Sequence, residues 1–196
     1  MKGNSRDYII RKTAQLFNKL GPRGTSLTDI TRETGMTKGA IYANFENKDA
    51  LAAEVFNYNV NRLFEKERDL LRLKESPHEQ LMILLDFYQH AFKYKEFEYG
   101  CPVANMAPEA DDTSEVLLKA VRNALDKATG YYRRLIEQAI EEQEYVGEAD
   151  PDFAFTMTSV IEGGLLIAKA SGQQEYLGGA CNILRQQLLD WRNGDD

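Results

Sequence analysis

Apolar residues recur along this chain at the three- and four-residue spacing of amphipathic helices, and no segment alternates as a β-strand would. A first helix is expected from about Ser5 to Leu20, ended by Gly21, and a long helix from about Lys48 to Lys74. Five further helices are expected over 77–96, 102–110, 114–144, 151–171 and 174–192. Three of these five begin with proline, whose missing N–H costs nothing at the first helical position. Together with two short helices predicted between Leu27 and Leu51, the pattern predicts an all-α chain of about nine helices.

The segment from Leu27 to Leu51 predicts two short helices joined by a tight turn at Gly35. Ser26 or Thr28 can cap the first helix with a side-chain oxygen, and Gly35 can end it with a positive φ. Thr37 is the expected N-cap of the second helix. Such a pair is a common way of presenting a helix to DNA.

The second helix of this pair has one apolar and one polar face. Ile41 and Phe45 lie four residues apart and are expected to face the core. The remaining positions are small, basic or hydrogen-bonding, and Tyr42 has no apolar partner four residues on. The pattern favours a helix whose polar face contacts another molecule.

The residues from Thr25 to Leu51 resemble the DNA-binding domain of the tetracycline-repressor (TetR) family. From Ser26 onward they follow the pattern T-x-x-x-I-x-x-x-x-G-x-[ST]-K-G-x-[IL]-Y-x-[HYN]-F-x-x-K-[DE]-x-L. Ser26 stands at the first threonine of this pattern, and Thr31 and Thr34 fall at positions it leaves open, where the family usually packs alanine. A threonine at either position must bond its hydroxyl back to the preceding helical turn.

The resemblance implies a set of DNA-contacting positions, which are Thr25, Lys38, Gly39, Ala40, Tyr42, Asn44 and Lys48. Tyr42 and Lys48 are expected to hold phosphates and so position the domain. Lys38 can donate to guanine, Ala40 can touch a thymine methyl, and Asn44 can bond a base edge or a phosphate. The expected partner is a double-stranded DNA operator.

The charge of the chain is unevenly distributed. Residues 1–50 contain nine Lys and Arg against five Asp and Glu, a net charge of +4, so the rest of a chain whose formal charge is −7 carries −11. An acidic body repels phosphate and orients a basic head toward the duplex.

The resemblance also implies a division of labour. Residues 1–47 would form a helix-turn-helix DNA-binding domain and residues 48–196 a helical ligand-binding and dimerisation domain. A homodimer is expected, because one recognition helix reads only a few base pairs and a palindromic operator supplies two half-sites. The apolar last two helices are the expected interface, through Phe153, Val160, Gly163, Gly164, Ile167, Ile183, Leu184, Leu188 and Trp191. The alternative is that these residues form the core of a single chain.

Cys101 is the candidate sensor of the body. With Pro102 at the first helical position, Cys101 becomes the N-cap, where the helix dipole favours a thiolate. The segment GCPVANMAPEA also resembles the GC[LP]xxNxxxE motif of a TetR branch, some members of which sense electrophiles or oxidants through or near this cysteine. The alternative is an inert cysteine that caps a helix. A small-molecule or electrophile inducer is expected, and the aromatic-rich body would hold its pocket.

The remaining features narrow the function class. The chain begins without the apolar region of a signal peptide, its run from Met157 to Ala168 is too short to span a bilayer, and it has only two cysteines, so a cytoplasmic protein is expected. No phosphate-binding loop, dinucleotide fingerprint, nucleophile elbow or metal-spaced histidine cluster is present, and no catalytic residue, cofactor or metal is predicted. The alternatives are a protein-binding helical adaptor and, less favoured, a cysteine enzyme using His78 or His90 as its base.

Overall fold

The computed structural model describes residues 2–72, 74, 76–110 and 114–193, and within those ranges the chain forms helices, turns and loops but no strand. The nine α-helices of this part of the chain are α1 Lys2–Gly24, α2 Leu27–Thr34, α3 Lys38–Tyr42, α4 Lys48–Leu71, α5 Pro77–Gln89, α6 Pro102–Ala110, α7 Glu115–Glu141, α8 Phe153–Ser171 and α9 Glu175–Asn193. The prediction of an all-α chain with about nine helices is confirmed.

Several helix boundaries differ from the predicted ones, among them the ends of α4 at Leu71 and α7 at Glu141, each about one turn earlier than predicted. Gly21 ends the regular part of α1 with a φ of 69°, as expected, but one further turn follows it up to Gly24. The helix predicted over 77–96 is wrong beyond Gln89, because the backbone tightens into 3-10 turns at Ala91–Lys93 and Lys95–Phe97. Pro151 lies in a turn ahead of α8, so proline begins a helix only in α5 and α6. Of the predicted helix ending at Lys74, residue 73 lies outside the described residues.

The chain divides by packing into two compact units, the first formed by residues 1–63 and 96–124 and the second by 64–95 and 125–196. In the first unit α1 packs against both α2 and α6. Its most buried large side chains include Ile9, Phe17, Ile30, Ile41, Leu51 and Phe56. The functional division at residue 47 stays a prediction.

In the second unit α9 packs against α5 and α8. Gly164 allows the close approach of α8 and α9, because a Cβ there would lie 3.1 Å from the Leu177 side chain and 3.2 Å from Cβ of Ala180. By length and composition alone α8 could cross a membrane, with 19 residues and a mean hydropathy of 1.3. A core helix of a soluble protein has the same properties, and the buried side of α8 contributes Met157 and Ile161 to this core.

Candidate DNA-binding surface and ligand cavity

Capping interactions hold the start of α2 and both ends of the turn between α2 and α3. Ser26 forms a reciprocal capping box with Asp29, and its hydroxyl and amide hold the pKa of Asp29 below its usual value. Gly35 ends α2 with a φ of 68°, and the Thr37 hydroxyl accepts from the Ala40 amide at 3.2 Å. These contacts confirm the predicted N-cap at Thr37 and the predicted turn at Gly35.

The two threonines that stand where the family usually packs alanine bond back along α2 as predicted. The Thr31 hydroxyl donates to the Thr28 carbonyl at 2.9 Å, and the Thr34 hydroxyl donates to the Ile30 carbonyl at 2.7 Å. Thr34 is buried, and its oxygen also accepts from the Met36 amide at 3.2 Å. Thr34 therefore supports the turn between α2 and α3.

The faces of α3 separate as its pattern predicts. Ile41 and Phe45 are each 2% exposed, and they anchor α3 in the core of the first unit. Lys38 and Gly39 are exposed, and Tyr42 exposes 49% of its surface although it is large and aromatic. We call Lys38, Gly39, Ala40, Tyr42 and Asn44 the recognition surface.

Three predicted contact residues also make contacts within the chain. The Asn44 amide donates to the Ala40 carbonyl at 2.8 Å, and the Lys48 ammonium donates to the carbonyls of Pro22 at 2.7 Å and Thr25 at 3.1 Å. The side chain of Thr25 is fully buried, and its hydroxyl donates to the Gly21 carbonyl at 2.7 Å. Thr25 therefore holds the turn after α1, and its hydroxyl does not lie on the recognition surface.

Arg6 supports the recognition surface and was missed by sequence reasoning. Its guanidinium donates to the Asn44 carbonyl and pairs with Glu54, and its central carbon lies 4.4 Å from the centroid of the Phe45 ring. The side chain thus ties the end of α3 to α1 and α4. In the sequence Arg6 is one basic residue among several, so no local signal distinguishes it.

Asn105 and Glu109 of the GCPVANMAPEA segment attach α6 to α1, and this segment belongs to the first unit. The side-chain amide of Asn105 donates to the backbone carbonyls of Asn18 at 3.1 Å and Tyr99 at 2.8 Å. The side-chain amide of Asn18 donates to the Gly100 carbonyl at 3.1 Å. The Glu109 carboxylate accepts from the Arg23 amide at 2.9 Å. We call these contacts the α1–α6 clasp.

Cys101 lies immediately before α6, and its carbonyl accepts from the backbone N–H of Asn105 at 3.0 Å, as expected for a residue at the N-cap position. Only 1% of its surface is exposed. A reagent would therefore need a local opening to reach the sulfur. Cys181 is buried as well, and burial raises the pKa of its thiol to about 11.

A cavity of about 280 Å³ opens in the second unit between the last turns of α4 and the middle of α7. It is lined by Phe64, Glu67, Arg68, Lys127, Ala128, Tyr131 and Arg134. Arg68, Lys127 and Arg134 are exposed, whereas Glu67 is only 5% exposed. The cavity combines an apolar wall, a buried carboxyl group and a basic rim.

The buried carboxyl group of the cavity belongs to a network of acids and tyrosines. The Tyr88 hydroxyl donates to Glu67, and burial, reinforced by the nearby charge of Glu162, raises the pKa of Glu67 to about 7. Burial also raises the pKa of Tyr88 well above its usual value, with the charge of Glu67 adding to the effect. Sequence periodicity gives no sign of this network, because its members come from α4, α5, α7 and α8.

Both histidines have structural partners. His78 is buried, its Nδ1 lies 3.0 Å from the Tyr145 hydroxyl, and burial lowers its pKa. The Nδ1 of His90 lies 3.0 Å from the Asp86 carbonyl at the end of α5. Within the residues that the structure describes, no group of three or more His, Cys, Asp and Glu side chains could hold a metal ion.

The predicted dimer-interface residues fall into two groups. Val160, Gly163, Ile167 and Ile183 are exposed or half-exposed on α8 and α9, with Ile183 exposing 72% of its surface. Gly164, Leu184, Leu188 and Trp191 are buried within the chain, and Phe153 packs on the Trp191 ring with centroids 5.0 Å apart. The first group can meet a second copy, whereas the second group supports these helices from behind.

Comparison with known proteins matches most of the chain. The family model described as "Bacterial regulatory proteins, tetR family" matches residues 9–55, and the model described as "Tetracyclin repressor-like, C-terminal domain" matches residues 77–184. The chain is also 29% identical over 167 residues to the HTH-type transcriptional regulator LmrA of Bacillus subtilis (strain 168). The matched region covers 85% of this chain and 87% of that protein.

Solved structures give the same result for the fold. A TetR-family transcriptional regulator from Cytophaga hutchinsonii has a TM-score of 0.89 and 31% identity, covering 97% of this chain and 96% of its own. A TetR transcriptional regulator from Chloroflexus aurantiacus J-10-FL has a TM-score of 0.88 and 28% identity, covering 96% of each chain.

Proposed function

This chain belongs to the tetracycline-repressor (TetR) family of DNA-binding transcriptional regulators, and from that premise we propose that it is a homodimeric repressor released from a palindromic operator by a small molecule or electrophile. The exposed polar face of α3 carries the proposal. Protein-binding surfaces usually centre on buried apolar anchors, whereas this face combines Lys38, Gly39 and the half-exposed Tyr42. This face is therefore better suited to binding a DNA groove than to binding another protein, as a helical adaptor would.

On this proposal the recognition surface divides its work between phosphates and bases. Tyr42 and Lys48 hold the backbone, while Lys38 reads guanine and Ala40 touches a thymine methyl. One amide hydrogen of Asn44 donates to the Ala40 carbonyl, which leaves its second amide hydrogen and Oδ1 to bond a base edge or a phosphate. Thr25 supports the turn after α1 and makes no side-chain contact with DNA.

Dimerisation is proposed through the exposed apolar strip of α8 and α9 formed by Val160, Gly163, Ile167 and Ile183. Exposed apolar residues that are contiguous on a surface mark an interface. Ile183→Glu should convert the dimer to monomers in sedimentation velocity and weaken operator binding. Val116→Glu, at another exposed apolar position, should leave the dimer intact. A dimeric Ile183→Glu protein would exclude this strip.

The inducer is proposed to bind the body, residues 48–196, while residues 1–47 bind DNA. The protein is proposed to act in the cytoplasm and to catalyse no reaction. The cavity beside Glu67 supports this, because a ligand there contacts α4, which continues from the DNA-binding domain. Release follows if the ligand binds one conformation of the body more tightly than the other.

Cys101 is the second proposed route to release, and we assign the chain to the branch with the GC[LP]xxNxxxE motif. Reaction at Cys101 would disturb the start of α6, whose Asn105 and Glu109 form the α1–α6 clasp. Cys101→Ser protein should then keep its operator complex when treated with a quinone or an aldehyde, and wild type should lose it. An equal response of the two proteins would remove Cys101 from the mechanism.

Footprinting on the DNA beside the gene tests the DNA-binding part of the proposal. The purified protein should protect a palindrome at about 0.15 M salt. Lys38→Ala should lower discrimination at one base pair by about 1–3 kcal/mol. Lys119→Ala, an exposed lysine of α7, should leave the protected sequence and its affinity unchanged. Protection no stronger than on unrelated DNA would overturn the proposal.

A further inference from the structure

Three unpaired cations surround one cavity in the acidic part of the chain. Arg68, Lys127 and Arg134 all line it, and none of them forms an ion pair with any residue that the structure describes. Arg68 lies in the last turn of α4, where a cation is favourable for the helix itself. Lys127 and Arg134 lie within α7, so the helix dipole does not account for them. The three positive charges make the rim of the cavity favourable for an anion.

The wall of the cavity is apolar and partly aromatic. Phe64, Ala128 and Tyr131 form it, and the central carbon of the Arg134 guanidinium lies 5.7 Å from the centroid of the Tyr131 ring. The volume of about 280 Å³ is near the lower end of ligand sites, which span roughly 300–1,000 Å³. The cavity therefore fits a small ligand with a flat apolar body.

The floor of the cavity does not neutralise the basic rim. Glu67 is faced by Tyr88 of α5, by Tyr131 of α7 and by Glu162 of α8, and Tyr132 of α7 forms a hydrogen bond with Tyr88. Burial and the charge of Glu162 outweigh the hydrogen bond from Tyr88 and raise the pKa of Glu67 to about 7. Below that pH the protonated form predominates, in which Glu67 carries no charge and can donate a hydrogen bond. An anionic ligand is compatible with a protonated Glu67 and is repelled by an ionised one.

We propose that this cavity binds a small amphipathic organic acid, with its apolar body against Phe64 and Tyr131 and its carboxylate among Arg68, Lys127 and Arg134. The inference rests on the proposed function only in making this acid the inducer. Its chemical basis is the charge of the rim and the character of the wall, and it concerns the same cavity.

Calorimetric titration with three naphthalene probes tests the ligand class on the whole protein without DNA. Naphthalene-2-carboxylate should bind at least about tenfold more tightly than naphthalene-2-methanol, because a charged group gains the stronger hydrogen bonds. 2-Naphthylmethylammonium should bind most weakly. Equal affinities for acid and alcohol, or tighter binding of the ammonium probe, would overturn the inference.

Variants of the rim identify the cavity as the site. Arg134→Gln and Lys127→Gln should each weaken binding of the acid by about tenfold and leave binding of the alcohol unchanged. Arg122→Gln, at an exposed arginine of α7 outside the cavity, should change neither. If Arg134→Gln and Lys127→Gln keep full affinity for the acid, the carboxylate does not lie at this rim.

The pH dependence gives a further readout. Affinity of wild type for the acid should fall between pH 6 and 8, as Glu67 ionises, whereas Glu67→Gln should bind the acid equally at both values. A wild-type affinity that does not change with pH would contradict the assigned position of the ligand beside Glu67.

Operator binding separates this inference from the proposed function. If the acid binds selectively but does not weaken a footprinted operator complex, the ligand class stands and the inducer role fails. If the operator complex forms and no probe binds selectively, the inference fails and the DNA-binding function stands.

Discussion

The recognition surface and the cavity of the second unit both present polar side chains, but they are held in different ways. The side chains of Lys38 and Tyr42 are exposed, and α3 is positioned by its caps and by Ile41 and Phe45 behind it. In the cavity, Glu67 is buried and bonded to Tyr88. Substitutions on the recognition surface should therefore change DNA binding alone, whereas the charge of Glu67 links ligand binding to folding.

The largest expected effect lies in the cavity. Burial raises the folded-state pKa of Glu67 to about 7, above the 4.5 that is usual for a glutamate. The stability that the protonated side chain contributes is therefore complete below pH 4.5 and is lost as the pH rises through 7. Glu67→Gln stays neutral and keeps an oxygen that can accept from Tyr88. At pH 8 it should raise the free energy of unfolding by about 3 kcal/mol relative to wild type.

Urea unfolding of both proteins at pH 4 and pH 8 measures this effect. The difference should disappear at pH 4, where both side chains are neutral in the folded protein. A Glu67→Gln protein no more stable than wild type at pH 8 would mean that Glu67 is readily ionised in the folded state.

A substitution at the α1–α6 clasp tests whether buried contacts also determine stability in the first unit. Gly21 has a positive φ, and a Cβ added there would collide with the Glu109 carboxylate. Gly21→Ala should lower the free energy of unfolding by about 2 kcal/mol. Gly24→Ala is the matched control, because a Cβ there would make only an ordinary contact, at 3.4 Å from Leu20. Equal free energies of unfolding for the two variants would mean that neither the positive φ of Gly21 nor the contact with Glu109 carries this cost.

Lys48 has both a role within the chain and a proposed role in DNA binding, and its substitution gives the smallest expected change in the free energy of unfolding. Lys48→Ala removes hydrogen bonds to Pro22 and Thr25, so it should cost about 1 kcal/mol of stability. If Lys48 also holds a phosphate, the slope of log affinity against log salt should become shallower by about 0.9. Lys119→Ala should alter neither quantity. An unchanged salt slope for Lys48→Ala would leave it only the structural role.

The sequence predicted the helices that carry the recognition surface, because the determinants of these helices are local. Thr37, Gly35 and the four-residue spacing of Ile41 and Phe45 each act within one or two helical turns, and their caps and burial are confirmed. The contacts of the surface residues with DNA stay predictions. Arg6 escaped prediction because its partners, Asn44 and Glu54, are 38 and 48 residues away.

The cavity could not be read from the sequence for the same reason. Phe64 and Tyr131 belong to helices far apart in the chain, and nothing in their spacing distinguishes a cavity wall from core. The interface prediction shows this limit too. An apolar stripe includes Ile183, which is exposed, and Leu188, which packs within the chain, and periodicity does not separate the two.

One titration tests most directly whether DNA binding and ligand binding reside in separate regions. Fluorescence anisotropy of a labelled operator would be followed with wild type, Tyr42→Ala and Arg134→Gln, without ligand and at one salt concentration. Tyr42→Ala should bind the operator roughly thirtyfold more weakly, a loss of about 2 kcal/mol, and Arg134→Gln should bind it as wild type does. Undiminished binding by Tyr42→Ala, or an equal loss in Arg134→Gln, would contradict the account.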